Sequence, residues 1–347
     1  MLYVTTRNKN DAYTAARALN EVRGPDGGAY LPFQLKRLED AQLESLSEKS
    51  FGQNVADILN LFFSARVDSW DVDFAIGRYP YRMVSMSHRI QIVETWHNPD
   101  WSFSRLVQNL TGNLHYAARG KTAASNWAWI AVRIAVLFGI FGDLLGSGCV
   151  SWDTPVDIAV DVGDFSGPMA VWYAKRLGLP IRTIICGCNE NGAPWELLHR
   201  GELRTNAAKI ETQTPLCDHA VPPDLERLIF GVYGYEEIQR YVSVCQRGGV
   251  YTPPLGTLDQ LREGLFAAVV SQKRMEATIR NVYTTKTYLL GPYSALAYGA
   301  LQDYRAVTGE SRQTLILSED SPAKFSGTVA NAMGMTVEAL NERFDFD

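Results

Sequence analysis

Hydrophobic and polar positions follow two different periods along this chain. In the first third, apolar residues recur at the spacing of a helix, most clearly after Ser50, which is a residue type that caps helix N-termini. The apolar residues on that helix face are Phe51, Val55, Ile58, Leu59 and Phe62. This spacing predicts a helix over 51–63, similar spacing predicts one over 103–116, and Gly24-Pro-Asp-Gly-Gly28 predicts a turn.

One longer apolar run, from Trp127 to Leu145, approaches the length of a membrane span. Arg133 stands near its middle and Asp143 near its end, so its uncharged stretches fall short of the roughly 20 residues that a span requires. We therefore expect a buried core helix, capped by Ser125, and no contact with a membrane.

The pattern changes to alternation at residue 156, where every second residue through 162 is Val or Ile. This alternation predicts a strand. A turn over 163–168, a helix over 169–177 and a strand over 181–186 complete a βαβ unit with parallel strands. Its turn faces a helix N-terminus, where backbone N–H groups favour an anion, although many such turns contain glycine without binding any ligand.

Alternating elements continue to the end of the chain. The pattern predicts helices over 224–230, 236–246, 258–282, 294–307 and 322–333, strands over 287–290 and 314–317, and a last helix capped by Thr336. Together these elements predict an α/β protein with one main sheet.

Composition and charge narrow the classes of function. A net charge of −5 over 347 residues provides no basic surface for nucleic acid or an anionic membrane. Residues 1–7 lack the apolar core of a secretory signal. Five scattered cysteines are typical of free thiols in a reducing compartment, so we expect a cytoplasmic protein. Cys186-Gly-Cys188 has no second pair at zinc spacing, which favours buried thiols and no metal site.

Short motifs are spread over the whole chain in a consistent order. They are YVTTR at 3–7, GPDGGAYLP at 24–32, SNWA at 125–128, YAKRLGLPI at 173–181, NEN at 189–191, ERLIF at 226–230 and PAKF at 322–325. Each resembles a segment of threonine synthase, a pyridoxal-phosphate (PLP) enzyme of fold type II. The resemblance implies a tryptophan synthase β-like large domain, with a mainly parallel central sheet flanked by helices.

The same resemblance implies that the lysine of that family is missing. In the family, a segment like FHGPTLAFKD carries the lysine that forms a Schiff base with PLP. The equivalent stretch begins at Trp96, and His97, Pro99 and Phe103 fix its register, so that Ser104 takes the lysine position. Because a hydroxyl cannot form an imine, we expect no PLP and no other cofactor.

The family's small domain also has no room in this chain. In the family it precedes the SINWAR helix, whereas here only 12 residues separate Asn113 from Asn126. At about 3.5 Å per residue they can cross a domain edge but cannot fold as a domain. We expect an N-terminal segment over 1–100 and an α/β core over 101–347, with a residual linker at 114–125, in one continuous globule.

A carboxylate stands where the family's phosphate loop has an amide. The family's TGNFGN becomes Val162 to Gly167, and Asp164 replaces the first asparagine. At about 4 Å and an effective dielectric constant near 20, each pair of like unit charges costs roughly 4 kcal/mol. Asp is also a good helix cap, a role that would explain this residue without any ligand.

Polar residues still collect at the positions of the former cofactor cleft. They suggest a PLP-independent enzyme, a lyase, cyclase or transferase, that uses acid–base catalysis on a small anionic or amino-acid-derived substrate, such as a phosphorylated amino acid. The candidate catalytic residues are His97, Ser104, Arg105, Asp164, Tyr293 and Glu319. The candidate substrate-binding residues are Asn126, Arg133, Gly163, Ser166, Gly167, Ser321 and Lys324.

A second interpretation is a non-catalytic binding or scaffold subunit. Trp96, Trp101, Trp127 and Trp129 lie near the junction with the missing domain. Aromatic residues of this kind anchor interfaces, so a homodimer or a complex with another enzyme of the same pathway would follow. The same tryptophans would equally serve to fill the space that the lost domain leaves.

Overall fold

The structure is a computed structural model, described here for residues 1–64, 66–76, 80–96 and 127–345. The helices in these ranges are α1 Ala15–Asn20, α2 Asp40–Glu44, α3 Phe51–Phe63, α4 Ser69–Ile76, α5 Trp127–Gly146, α6 Ser166–Leu177, α7 Ala193–Arg200, α8 Leu225–Gln246, α9 Leu258–Arg262, α10 Gln272–Lys286, α11 Pro292–Thr308, α12 Ser326–Met333 and α13 Val337–Phe344. The strands are β1 Tyr3–Thr5, β2 Tyr30–Pro32, β3 Arg82–Ser87, β4 Ile90–Glu94, β5 Val156–Asp161, β6 Ile181–Cys188, β7 Leu203–Arg204, β8 Val250–Tyr251, β9 Leu265–Val269 and β10 Thr314–Ser318. Short 3₁₀ helices occupy Ser45–Glu48, Pro215–Cys217 and Pro322–Phe325.

A six-stranded sheet forms the centre of the fold, in the order β3-β4-β10-β5-β6-β9. β3 is antiparallel to β4, and every other neighbouring pair is parallel. The first five residues of β5 are buried, as expected for a parallel strand that helices cover. This sheet confirms the predicted α/β class. Strands from both sides of residue 100 belong to it, while the predicted division at that residue stays a prediction.

The apolar helix α5 lies in the core. It packs against α3 and α6, and its most apolar 18-residue window is 78% buried, which is typical of a core helix rather than a membrane span. Trp127 at its start is fully buried and donates a hydrogen bond to the Tyr3 hydroxyl at 3.1 Å. Trp127 is therefore a core residue, and the hypothesis that it anchors a partner is wrong.

Several local predictions are confirmed. Ser50 caps α3 by accepting a hydrogen bond from the backbone N–H of Gln53, and Gln53 completes a capping box. The turn at residues 24–28 is closed by backbone hydrogen bonds. Cys186 and Cys188 are buried free thiols. The βαβ unit is present, although α6 begins at Ser166, three residues earlier than predicted.

Other local predictions are wrong. The helix expected over 258–282 is α9, then β9, then α10, because β9 pairs with the buried strand β6. A short apolar run such as 265–269 suits either a helix or a strand by periodicity alone. The strand expected over 287–290 is irregular, since Thr287 adopts a left-handed conformation that ends α10. The first third also contains four strands, including the sheet strands β3 and β4.

A substitution of Gly187 would test how closely α11 packs on the sheet. Gly187 lies in β6, where an added Cβ would stand 2.5 Å from backbone atoms of Leu296 in α11. We expect Gly187→Ala to lower the free energy of unfolding by about 2–3 kcal/mol through overpacking, measured by urea denaturation. Gly327 in α12 has nothing within 4 Å of such a Cβ, so Gly327→Ala should be neutral or stabilising by up to about 1 kcal/mol. Equal stabilities of the two variants would contradict this packing.

Candidate functional site

A cavity of about 520 Å³ opens at the carboxyl ends of β5 and β10. The chain continues from β5 to β6 and β9 on one side, whereas β10 and β4 lie on the other, so the strand order reverses at this point. Ligands of open parallel sheets commonly bind at such a reversal, and the volume suits a small molecule. Side chains reach the cavity from α5, from the loop after β5, from the start of α11 and from the loop after β10.

An ion pair between Arg133 and Glu319 spans one wall of the cavity. The Arg133 guanidinium donates through Nε to Glu319 Oε1 at 2.7 Å and through Nη2 to Oε2 at 2.6 Å, and its Nη1 donates to the Ser166 hydroxyl at 2.9 Å. Burial opposes the charge on Arg133, but Glu319 outweighs it and holds the pKa of Arg133 above its ordinary value. This geometry is the strong bidentate form of an arginine–carboxylate pair.

The loop between β5 and α6 turns sharply. Gly163 and Phe165 both adopt positive φ angles, of 45° and 75°. Between them, Asp164 Oδ1 accepts hydrogen bonds from the backbone N–H of Ser166, at 3.0 Å, and from its hydroxyl. The Asp164 carboxylate therefore occupies the first free amide of α6, as in the capping role considered above. Its other oxygen, Oδ2, is buried and accepts no hydrogen bond.

The start of α11 and the residues that follow Glu319 line another part of the cavity. The Tyr293 hydroxyl accepts a hydrogen bond from the backbone N–H of Leu216 at 3.1 Å, and burial raises the pKa of Tyr293. Lys324 is paired with Asp320 at 2.6 Å. Ser321 accepts a hydrogen bond from the backbone N–H of Ala323 and so caps the 3₁₀ helix that follows, rather than lining the cavity.

The structure brings most of the predicted residues together. Those that line the cavity are Arg133, Gly163, Asp164, Ser166, Gly167, Tyr293, Glu319 and Lys324. His97, Ser104, Arg105, Asn126 and the linker 114–125 lie outside the described residues.

Sequence reasoning missed Asp161 and His219, which also line the cavity. Asp161 is the last residue of β5, and its one hydrogen-bond contact within the described ranges is the Cys217 thiol, at 3.9 Å from Oδ1. Burial raises the pKa of Asp161 to about 7; Glu319, Asp320 and Asp164 add to this, and Arg133 opposes it. The position of Asp161, a carboxylate at the end of a buried parallel strand, could have identified it from the sequence as a site residue. His219 lies in the loop after a 3₁₀ helix, and no sequence pattern marks it as a site residue.

Comparisons with known proteins agree with this fold. Residues 2–78 match the family model described as the threonine synthase N terminus. Human Threonine synthase-like 1 is 24% identical over 229 residues, which cover 62% of this chain and 29% of that protein. Human Threonine synthase-like 2 is 22% identical over 444 residues, covering 99% of this chain and 91% of that protein. The chain thus spans less than a third of the first of these relatives and most of the second.

The crystal structure of PLP-bound threonine synthase from Brucella melitensis superposes with a TM-score of 0.83 and 19% identity, covering 96% of this chain and 92% of that chain. Threonine synthase from yeast gives 0.83 and 17%, covering 99% and 92%. The chain shares the fold of threonine synthase, and residues 2–78 match its N-terminal family model. Its alignment with threonine synthase of Schizosaccharomyces pombe runs over 457 positions, so more than a hundred positions have no counterpart among the 347 residues here.

The Asp161 carboxyl should make the stability of the protein depend on pH. Because its folded-state pKa of about 7 lies above the ordinary value near 4, its contribution to stability falls as pH rises through this window. We expect Asp161→Asn to remove this loss, so that between about pH 5 and pH 8 the variant gains at least about 1 kcal/mol over the wild type in free energy of unfolding.

The matched control is Asp153→Asn, which changes an exposed carboxyl away from the cavity. Its pH–stability curve, measured by urea denaturation, should run parallel to that of the wild type. An Asp161→Asn curve that is also parallel would contradict the raised pKa.

Proposed function

We propose that the protein is a PLP-independent enzyme that acts on a small amino-acid-derived substrate by acid–base catalysis in this cavity. The observation that carries the proposal is the state of Asp161 among the carboxylates of the lining. Glu319 binds Arg133, Asp320 binds Lys324, and Asp164 binds the start of α6. Within the described residues, Asp161 has only a thiol contact and a pKa near neutral pH, which suits a group that both takes up and releases a proton.

The other lining groups have supporting roles in this proposal. The Arg133–Glu319 pair holds α5 and the end of β10 at a fixed separation, and it sets the electrostatic field around Asp161. Tyr293 and its edge-to-face contact with Phe325, at 5.0 Å between ring centres, shape the opposite wall. The His219 imidazole also lines the cavity.

The same residues fit the phosphate of PLP poorly, which supports independence from that cofactor. The backbone N–H of Ser166, a donor that a phosphate would need, already binds the Asp164 carboxylate, and both lining cations among the described residues are paired. A dianionic phosphate at this loop would meet Asp164 and be repelled. The serine at position 104 supports the same conclusion, and so do the more than one hundred positions of the Schizosaccharomyces pombe alignment that have no counterpart here.

PLP binding can be tested by incubating the protein with PLP, recording the visible absorbance, and trapping any imine with borohydride for peptide mass spectrometry. We expect no imine within the cavity. Lys324 is the lysine that lines the cavity within the described ranges, and its amino group is held in an ion pair with Asp320 at 2.6 Å, where it is not free to attack an aldehyde. A stoichiometric label on Lys324, lost in Lys324→Met, would overturn PLP independence. Labelling that is scattered over several lysines and unchanged in Lys324→Met would indicate reaction at the protein surface, which is consistent with PLP independence.

The catalytic role of Asp161 can be tested with a mass-spectrometric screen of amino acids and their esters, lactones and phosphate esters. For any compound turned over, we expect Asp161→Asn to lower kcat by about 100-fold or more, because the amide can neither take up nor release a proton. Asp153→Asn is the control and should retain wild-type activity, since its side chain is exposed. An Asp161→Asn variant with full kcat would contradict this role.

One surface feature favours the non-catalytic alternative. Trp70 and Phe74 of α4 are 71% and 76% exposed, and their rings stack at 5.6 Å. Exposed paired aromatics are typical of contact surfaces. A screen without any turnover, combined with a complex that Trp70→Ala disrupts, would favour a binding subunit over the enzyme.

A further inference from the structure

Among the charged side chains described around the cavity, some are paired with an opposite charge and others are not. Among the described residues, the lining contains the carboxylates Asp161, Asp164, Glu319 and Asp320 and the permanent cations Arg133 and Lys324. Each cation has its own carboxylate partner, Glu319 or Asp320, at 2.6 Å. No permanent positive charge in this part of the chain is left over for an incoming anion.

Among the described residues, the other two carboxylates have no cationic partner at ion-pair distance. The Asp161 carboxyl contacts the Cys217 thiol at 3.9 Å, and the Asp164 carboxylate accepts hydrogen bonds from the amide and the hydroxyl of Ser166. The second oxygen of Asp164, Oδ2, is buried with no donor, which is an unfavourable state for a carboxylate oxygen. A cation that enters the cavity would lower the repulsion among the four carboxylates.

Aromatic rings add to this preference. Trp129 and Phe325 line the cavity, and each already lies near a cation of the protein: Arg133 is 5.7 Å from the Trp129 ring centre and Lys324 is 5.7 Å from that of Phe325. Ring faces attract ammonium groups and offer nothing comparable to phosphate.

We infer that this cavity recognises an organic ammonium group, through Asp161 and Asp164, and excludes phosphate. The inference rests on the proposed function in that it concerns the same cavity, and it narrows the substrate class to amines and amino-acid derivatives without a phosphate group. It departs from the phosphorylated amino acid that the sequence suggested, because the structure pairs Arg133 and Lys324 internally.

Three ligands that differ in one group test the inference: 4-aminobutan-1-ol, butane-1,4-diol and 4-hydroxybutyl phosphate. Binding is measured by isothermal calorimetry on the full chain at neutral pH and low salt, where electrostatic contributions are largest. We expect the amine to bind at least about tenfold more tightly than the diol, and the phosphate ester to bind more weakly than both. Equal affinities for amine and diol, tighter binding of the phosphate ester, or no binding of the amine would each overturn the inference.

Two conservative variants locate the recognition. Asp161→Asn removes one unpaired carboxylate. Asp164→Asn removes the other while keeping an oxygen that can accept from the Ser166 amide, so the start of α6 is preserved. Each should weaken amine binding at least about fivefold and leave diol binding unchanged, whereas Asp153→Asn should change neither. Melting temperatures check that each variant is folded; unchanged amine affinity in both folded variants would overturn the assignment.

The result of these binding measurements can be distinguished from a test of the proposed function, because equilibrium binding requires no turnover. Amine binding without turnover of any amine would support the inference while contradicting the enzyme. Turnover of a phosphate ester that depends on Asp161 would support the enzyme and overturn the inference.

Discussion

The bidentate pair between Arg133 and Glu319 joins three elements around one cavity. Arg133 comes from the core helix α5, Glu319 follows the sheet strand β10, and the third contact of the guanidinium is Ser166 at the start of α6. Removing one partner of such a partly buried pair leaves an uncompensated charge, which typically costs several kcal/mol. The pair therefore constrains the shape of the cavity, and it also withdraws an arginine that would otherwise bind an anion.

The Arg133–Glu319 pair also affects the protonation of the neighbouring Asp161 carboxyl. With Glu319 neutralised by Arg133, and Asp320 by Lys324, the half-buried carboxyl at the end of β5 has no cation of its own among the described residues. Desolvation then raises its pKa into the range where proton transfer is useful. The proposed catalysis and the proposed preference for ammonium both follow from this uneven pairing.

A second buried network ties the N-terminal segment to the core. Glu226, at the start of α8, accepts hydrogen bonds from Thr6, Arg7 and Arg23, and so ties the residues after strand β1 and the residue before the 24–28 turn to the core. Burial alone would raise the pKa of Glu226, but the two arginines and the threonine outweigh it and hold the pKa below its ordinary value. This network lies apart from the candidate site, and it holds part of the segment that matches the threonine synthase N-terminal model against α8.

The sequence by itself determined the capped helix after Ser50, the βαβ unit at β5 and the core helix α5. Helix caps, turn residues and periodic apolar runs specify such elements because each acts through residues that are close together in the chain. The motifs in their order indicated the fold. Only the tertiary structure showed that β9 is a strand. Its five apolar residues would suit a helix or a strand, and pairing with β6 decides for the strand. It alone also decided the state of the candidate site: which carboxylate each cation binds, and that Asp161 is left over. The partners Arg133 and Glu319 are 186 residues apart, and no local pattern specifies a pairing that the folded chain selects by proximity and desolvation.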